Sequence, residues 1–186
     1  AARNGTKNFA MCLTGGALTV GLVTVHVPLR EVAGILSTEE IVRVGRLLGA
    51  FVRRRGVAHP RIAVAGLNPH AGEDGDIGRE EIDLIAPAIT RLQAEGGDSY
   101  VGPLPPDTVF FRAVAGEFDA VLCMYHDQGL IPLKLHAFDS GVNTTLGLPF
   151  PRTSPDHGTA FEIAGKGIAR PDSMIAAIRL AAELAG

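Results

Sequence analysis

Cysteine is scarce in this sequence, and neither sign of charge dominates it. Only Cys12 and Cys123 occur in 186 residues, in the apolar settings Ala-Met-Cys-Leu and Val-Leu-Cys-Met. A disulfide framework is therefore excluded, and the pair reads as buried free thiols of a reducing compartment. The 17 Lys+Arg against 20 Asp+Glu leave a formal net charge of -3, which excludes the basic domain that a nucleic-acid partner would need. The one basic run, Arg53-Arg54-Arg55, closes a predicted helix, where positive charge suits the helix dipole. No apolar run reaches the length of a membrane span. Arg3, Asn4 and Lys7 interrupt any signal-peptide pattern. The expectation is a soluble, cytoplasmic protein with no membrane partner. The chain opens Ala-Ala-Arg-Asn-Gly-Thr-Lys without an initiating Met, which reads as the interior of something longer.

What is present describes a globular chain, 46% hydrophobic and 20% charged, with room for one core or one domain plus part of another. Strand and helix signals alternate along it. Ala17 to Val27 reads as a strand buried on both faces. Ser37-Thr38-Glu39-Glu40 is a capping box, hydroxyl and carboxylate each satisfying the other's free amide. Ile41, Val44, Leu48 and Phe51 then form a helical stripe ending at Gly56. Arg61 to Leu67 is a second strand, followed by a Gly-rich loop from Asn68 to Gly78. Glu80 to Ala94 reads as a helix that Pro87 should kink or break. A short strand at Tyr100 to Val101 precedes Pro103, Pro105 and Pro106, and Asp107 is placed to cap the next helix. Asp119 to Tyr125 and Val142 to Leu148 are further strands, and Met174 to Leu184 is a last helix after Pro171. Strands separated by helices predict an α/β fold with a largely parallel sheet.

In open α/β sheets ligands gather beyond the carboxyl ends of the strands. Three strands here run into Thr24-Val25-His26-Val27-Pro28, Gly66-Leu67-Asn68-Pro69-His70-Ala71-Gly72-Glu73 and Met124-Tyr125-His126-Asp127-Gln128. Each delivers a histidine to the same edge. Imidazole is the usual nitrogen ligand for zinc and similar metals, and three protein ligands leave a position open for substrate. Glu73, Asp74, Asp76, Asp107 and Asp127 could accept from the other ring nitrogens. Asp74-Gly75-Asp76 does not continue into an EF-hand loop. His59, His136 and His157 lack strand-end placement. Downstream, Asp156-His157-Gly158-Thr159-Ala160 could open a short helix from Phe161 to Ala164 whose free amides suit a phosphate or dinucleotide. Gly165-Lys166-Gly167 lacks the third glycine of the dinucleotide fingerprint. Arg152 could hold a phosphate or carboxylate bidentately.

Gly66-Leu67-Asn68-Pro69-His70-Ala71-Gly72-Glu73, Tyr125-His126-Asp127-Gln128-Gly129, and Gly147-Leu148-Pro149-Phe150 with Asp156-His157-Gly158-Thr159-Ala160 resemble the 4-hydroxythreonine-4-phosphate dehydrogenase family of pyridoxal phosphate biosynthesis, from about Leu13 onward. The stretch His157 to Gly167 is also similar to the adenosine-binding loop of isopropylmalate and isocitrate dehydrogenases. The resemblance implies their two-domain fold without its N-terminal segment: a metal-binding and dimerisation domain over 1–130 and a returning segment of the NAD-binding domain over 131–186. It implies that His26, His70 and His126 are metal ligands shared across a homodimer interface, the metal being zinc, magnesium or cobalt. It makes Lys134, Asn143 and Arg152 substrate-binding residues. Asp107 and Asp127 match acidic residues near the metal, and Asp156, His157, Gly158, Thr159 and Ala160 bind the cofactor, NAD or NADP.

The implied reaction oxidises 4-phosphohydroxy-L-threonine, the product then losing carbon dioxide, with Lys134 or a metal-linked Asp as candidate base. Family members carry an upstream His-Thr pair that touches substrate; nothing before His26 supplies one. An erythronate or threonate 4-phosphate dehydrogenase and an aromatic cis-dihydrodiol carboxylate dehydrogenase are the alternatives within the fold. For the chain in isolation the alternative is a non-catalytic metal-binding dimerisation module.

Overall fold

Leu18, Val20 and Leu22 are buried together with the intervening Thr19 and Gly21, as befits a strand covered on both faces. They form β2 (Leu18–Leu22) in a computed structural model that describes residues 5–186; Arg3, Asn4 and the Ala-Ala start lie outside these. The other strands are β1 (Ala10–Gly15), β3 (Arg61–Ala65), β4 (Ser99–Leu104), β5 (Ala120–Cys123), β6 (Val142–Leu146) and β7 (Thr153–Pro155), joined in one sheet of order β4-β3-β5-β2-β1-β6-β7. β4, β3, β5 and β2 pair in parallel. The β2–β1, β1–β6 and β6–β7 pairings are antiparallel. The sheet is thus mixed, its parallel half carrying the ends on which the histidines were expected.

The helices are α1 (Leu29–Ile35), α2 (Thr38–Arg54), α3 (Ala86–Glu95), α4 (Val109–Val114), α5 (His126–Ala137) and α6 (Asp172–Ala185). One face of the sheet is covered by α2, α3 and α6 through Ile41, Val44, Leu48, Ile89, Leu92 and Leu180. The other is covered by α4 and α5 through Val109, Ala113, Leu130 and Leu133. Each such Leu or Ile withdrawn from water contributes roughly 1.5–3 kcal/mol.

Several local expectations are revised. The strand expected from Ala17 to Val27 is confined to Leu18–Leu22: a turn at Gly16 and Ala17 makes it the second arm of a hairpin with β1, whose pairing runs out at Met11 and Leu22. The capping box is half formed: Ser37 Oγ accepts from the Glu40 amide at 3.2 Å, but the Glu40 carboxylate turns to Arg43. Asp107 does not cap α4; Thr108 holds the N-cap position, without a side-chain bond. Pro87 does not break its helix: the helical path expected from Glu80 runs through a π-type turn at Glu81–Ile85 directly into α3, with Ile85 and Ala86 both in right-handed helical backbone. His126-Asp127-Gln128, read as following a strand, open α5, a helix that the sequence did not announce. The expected boundary at 130/131 falls within α5, and strands from both sides share the sheet.

Candidate functional site

The carboxyl ends of β2, β5, β3 and β4 lie side by side, so His26, His126, His70 and Asp107 follow four neighbouring strands. The rings of His26 and His126 stand 5.4 Å apart between centroids, tilted by 44°. His126 Nδ1 lies 2.7 Å from Asp127 Oδ1 and His70 Nδ1 lies 2.5 Å from Glu73 Oε1. In both, a carboxylate on Nδ1 leaves Nε2 as the nitrogen able to bind a metal. The Glu73 hydrogen bond and charge, with a smaller contribution from Asp107, raise the His70 pKa above the ordinary imidazole value. Asp107 is exposed and faces His70 only as a distant charge. Among the described residues, no group of three His, Cys, Asp or Glu side chains is gathered closely enough to hold a metal ion. One chain brings His26 and His126 together and leaves His70 on its own loop.

That loop has an unusual backbone. The five residues from His70 to Asp74 all have positive φ, and only Gly72 among them is a glycine. Left-handed backbone costs a non-glycine residue roughly 1–2 kcal/mol, so the surrounding structure must hold this turn in place.

A cavity of about 970 Å³ opens beside His26 and is lined also by Met11, Arg43, Asn143, Thr145 and Arg152. The structure therefore brings together three expected site residues, His26, Asn143 and Arg152. Arg152 Nη1 is 3.3 Å from Thr145 Oγ1, which leaves most of its guanidinium free for an anion. Lys7, Glu40 and Arg43 also line this cavity and were not foreseen. Arg43 is oriented by Glu40 and by the Phe9 carbonyl at 2.8 Å; its place in a helical repeat resembles that of any surface arginine. A smaller cavity of about 220 Å³ lies between His26, Tyr125, His126 and Asp127.

Lys134 is not among the residues lining either cavity. Its Nζ lies 3.5 Å from Asp156 Oδ2, and Asp156 lines a third cavity of about 400 Å³ with His157, Thr159, Ala160, Gly165 and Arg170. The expected helix from Phe161 to Ala164 is a three-residue 3-10 turn preceded by Ala160 in left-handed backbone. That part of the cavity wall is thus loop backbone, and the helix start that lines the cavity is the one at Asp172 and Ser173 of α6. His59 and His136 stand apart, against the Gly97 carbonyl and the Ala17 amide.

A family model described as pyridoxal phosphate biosynthetic protein PdxA matches residues 1–181. A 4-hydroxythreonine-4-phosphate dehydrogenase of Caulobacter vibrioides is 54% identical over 182 residues, covering 97% of this chain and 54% of that protein. The crystal structure of a 4-hydroxythreonine-4-phosphate dehydrogenase from Klebsiella pneumoniae superposes with a TM-score of 0.87 at 49% identity, over 97% of this chain and 55% of that one. A terephthalate 1,2-cis-dihydrodiol dehydrogenase from Burkholderia xenovorans gives 0.78 at 32% identity, over 95% and 56%. The chain spans about half the length of the relatives it matches. With the strand-end histidine motifs and the fold in agreement, the chain belongs to the PdxA family of pyridoxal phosphate biosynthetic proteins.

Proposed function

We propose that this chain is the metal-holding and substrate-gripping part of an NAD- and divalent-metal-dependent 4-hydroxythreonine-4-phosphate dehydrogenase. Its reaction would convert 4-phosphohydroxy-L-threonine to 2-amino-3-oxo-4-phosphohydroxybutanoate, which decarboxylates to 3-amino-2-oxopropyl phosphate. The carrying observation is the single cavity that joins His26 to Asn143 and Arg152 at the carboxyl edge of the sheet.

The donors fit a divalent cation in their chemistry, because His70 and His126 each have a carboxylate orienting Nδ1. His26, His70 and His126 would hold it, with a second copy of the chain completing the set. A bound cation would supply acidity to the substrate alcohol. The chain's own groups bind and orient: Arg152 and Lys7 bring positive charge to the cavity for phosphate or carboxylate, Arg43 there is paired with Glu40, and Asn143 offers an amide. Lys134, held by Asp156, fits a role in binding anions beside the third cavity better than that of a base. Asp127 stays beside His126 as its orienting carboxylate, and Asp107 beside the His70 loop adds negative charge. The third cavity, with Asp156, His157, Gly158, Thr159 and Ala160 in and around its wall, supports the cofactor site, for NAD or NADP.

A homodimer is supported by α5 and its C-cap, where Ile131, Leu135 and Phe138 form an exposed stripe at i, i+4 and i+7, and by Phe111 of α4 on the same face of the sheet. Two buried free thiols support a reducing, cytoplasmic setting; no helix is long and apolar enough to cross a membrane among the described residues. The likeness to a cis-dihydrodiol dehydrogenase keeps a second substrate class in view, although a phosphate-free diol has less use for this positive charge.

The deciding experiment follows NADH formation by metal-loaded protein with 4-phosphohydroxythreonine, erythronate 4-phosphate and a cis-dihydrodiol carboxylate. Preference for the first is expected. Turnover of the diol alone would replace this reading with the second, and no turnover of any of them by a metal-loaded, full-length relative carrying this segment would remove it.

A further inference from the structure

Seven polar or charged residues are buried among the described residues, and three of them, Thr24, Glu81 and Gln128, lie beneath the histidine edge. They are joined by one chain of hydrogen bonds. Thr24 donates to the Met124 carbonyl twice, from its amide at 3.1 Å and from Oγ1 at 2.8 Å. The Met124 amide donates to Gln128 Oε1 at 2.7 Å, and Gln128 Nε2 donates to the Gly66 carbonyl at 2.7 Å. The next two amides, of Leu67 and Asn68, both donate to Glu81 Oε1 at 2.7 Å, and Asn68 Nδ2 donates to Glu81 Oε2 at 2.9 Å. The path crosses the ends of β2, β5 and β3 in turn. On each it fixes the backbone two residues before a histidine: Thr24 before His26, Met124 before His126, Asn68 before His70.

We propose that Thr24, Gln128 and Glu81 are positioning residues that lock the three histidine-bearing strand ends into one rim. This rests on the reading that His26, His70 and His126 hold a divalent cation. A carboxylate that is 2% exposed and an amide that is 7% exposed are costly to bury, and an apolar core would avoid that cost. What a fully satisfied polar chain adds is a single geometry. The loop is also wrapped closely around the carboxylate: a Cβ at Gly72 would lie 2.7 Å from Glu81 Oε2, and one at Gly66 3.0 Å from Glu81 Oε1. Glu81 thereby holds the left-handed turn that carries His70. None of the three side chains reaches a ligand; each acts through the backbone of a histidine loop.

The test titrates the 186-residue chain with Co²⁺, reading affinity and the d–d absorption envelope, and follows amide hydrogen exchange at Leu67, Asn68 and Met124. E81Q places an amide donor against the Asn68 amide donor. It is expected to speed exchange at Leu67 and Asn68, to weaken cobalt binding by about 10-fold, and to change the d–d envelope. T24V removes one bond at constant shape and should weaken binding less, whereas T24S, which keeps the hydroxyl, should bind as the unaltered chain does. If E81Q does not fold, the Thr24 pair decides alone. Faster exchange in E81Q with cobalt affinity and spectrum unchanged would overturn the proposal, as would equal behaviour of T24V and T24S. A different result, the unaltered chain and H70A taking up cobalt alike, would sink the cation reading itself and this proposal with it.

Discussion

His70 stands on backbone that L residues rarely adopt, and the same is true of His26, with φ of 52° and 44°. For the His70 loop the restraint is identifiable, and Gly72 tests it. Its φ is +83°, and an added Cβ would lie 2.7 Å from Glu81 Oε2 and 3.0 Å from the Gly78 carbonyl. Gly72→Ala should therefore cost about 1–3 kcal/mol, read as a lowered urea midpoint at unchanged slope. A midpoint equal to that of the unaltered chain would show that the loop yields freely. The two cysteines offer a second test. Burial pushes the Cys12 thiol up to about 12, against a smaller opposing pull from Arg55, and burial raises Cys123 as well. Since the thiolate is the nucleophile, neither should react with iodoacetamide at mildly alkaline pH in folded protein. Both should label fully in denaturant, and rapid labelling of the folded chain would contradict their placement.

Among the elements, the amino edge of the sheet shows how charge ties strands together. Arg61 at the start of β3 donates to Asp119, just before β5, through its backbone amide at 2.7 Å and its guanidinium at 2.9 Å. Burial alone would push the Asp119 carboxyl up, but these bonds and the Arg61 charge outweigh it and hold the carboxyl below its ordinary value. A lowered folded-state pKa stabilises the fold above the unfolded value of about 3.9, and that stabilisation is lost as pH falls through the folded value. Asp119→Asn should lower the denaturant midpoint at neutral pH and bring the two proteins closer together in acid. A difference that persists unchanged at the lowest pH would assign the effect to packing. The elements also show where local signals sufficed. Ser37 and the Ile41-Val44-Leu48 stripe announced α2, and Pro87 announced the irregular turn that leads into α3, because caps, periodicity and proline act within a turn or two. α5 went unannounced: with a proline inside it and apolar residues on both its buried and its exposed sides, it shows no clean amphipathic period.

At the scale of the whole molecule, the apolar stripe on α5 is the feature least at ease in water. Leu135 is 89% exposed and Phe111 of α4 is 80% exposed. On the homodimer reading, Leu135→Glu should shift the chain from dimer to monomer in sedimentation with little loss of secondary structure. A monomeric unaltered chain would remove α5 as the interface. If the metal set is completed across that interface, the same variant should also lose bound cobalt, which couples assembly to the site.

The sequence by itself determined the α/β alternation, the strand ends carrying His26, His70 and His126, and the motifs that place the chain in its family. These are written in short stretches where residue type and spacing carry the chemistry. Tertiary structure alone decided which of these residues meet. It set His26 against His126, put Arg152 and Asn143 in a cavity with His26, and turned Lys134 toward Asp156. It also buried Glu81, one of two adjacent glutamates at the start of a helical pattern. The physical reason is distance along the chain: Glu81 meets amides 13 and 14 residues away, and Gln128 reaches a carbonyl 62 residues away. Such partners leave no local periodicity. The histidines that sequence placed on one edge are thus held there by groups that only the folded sheet brings into contact.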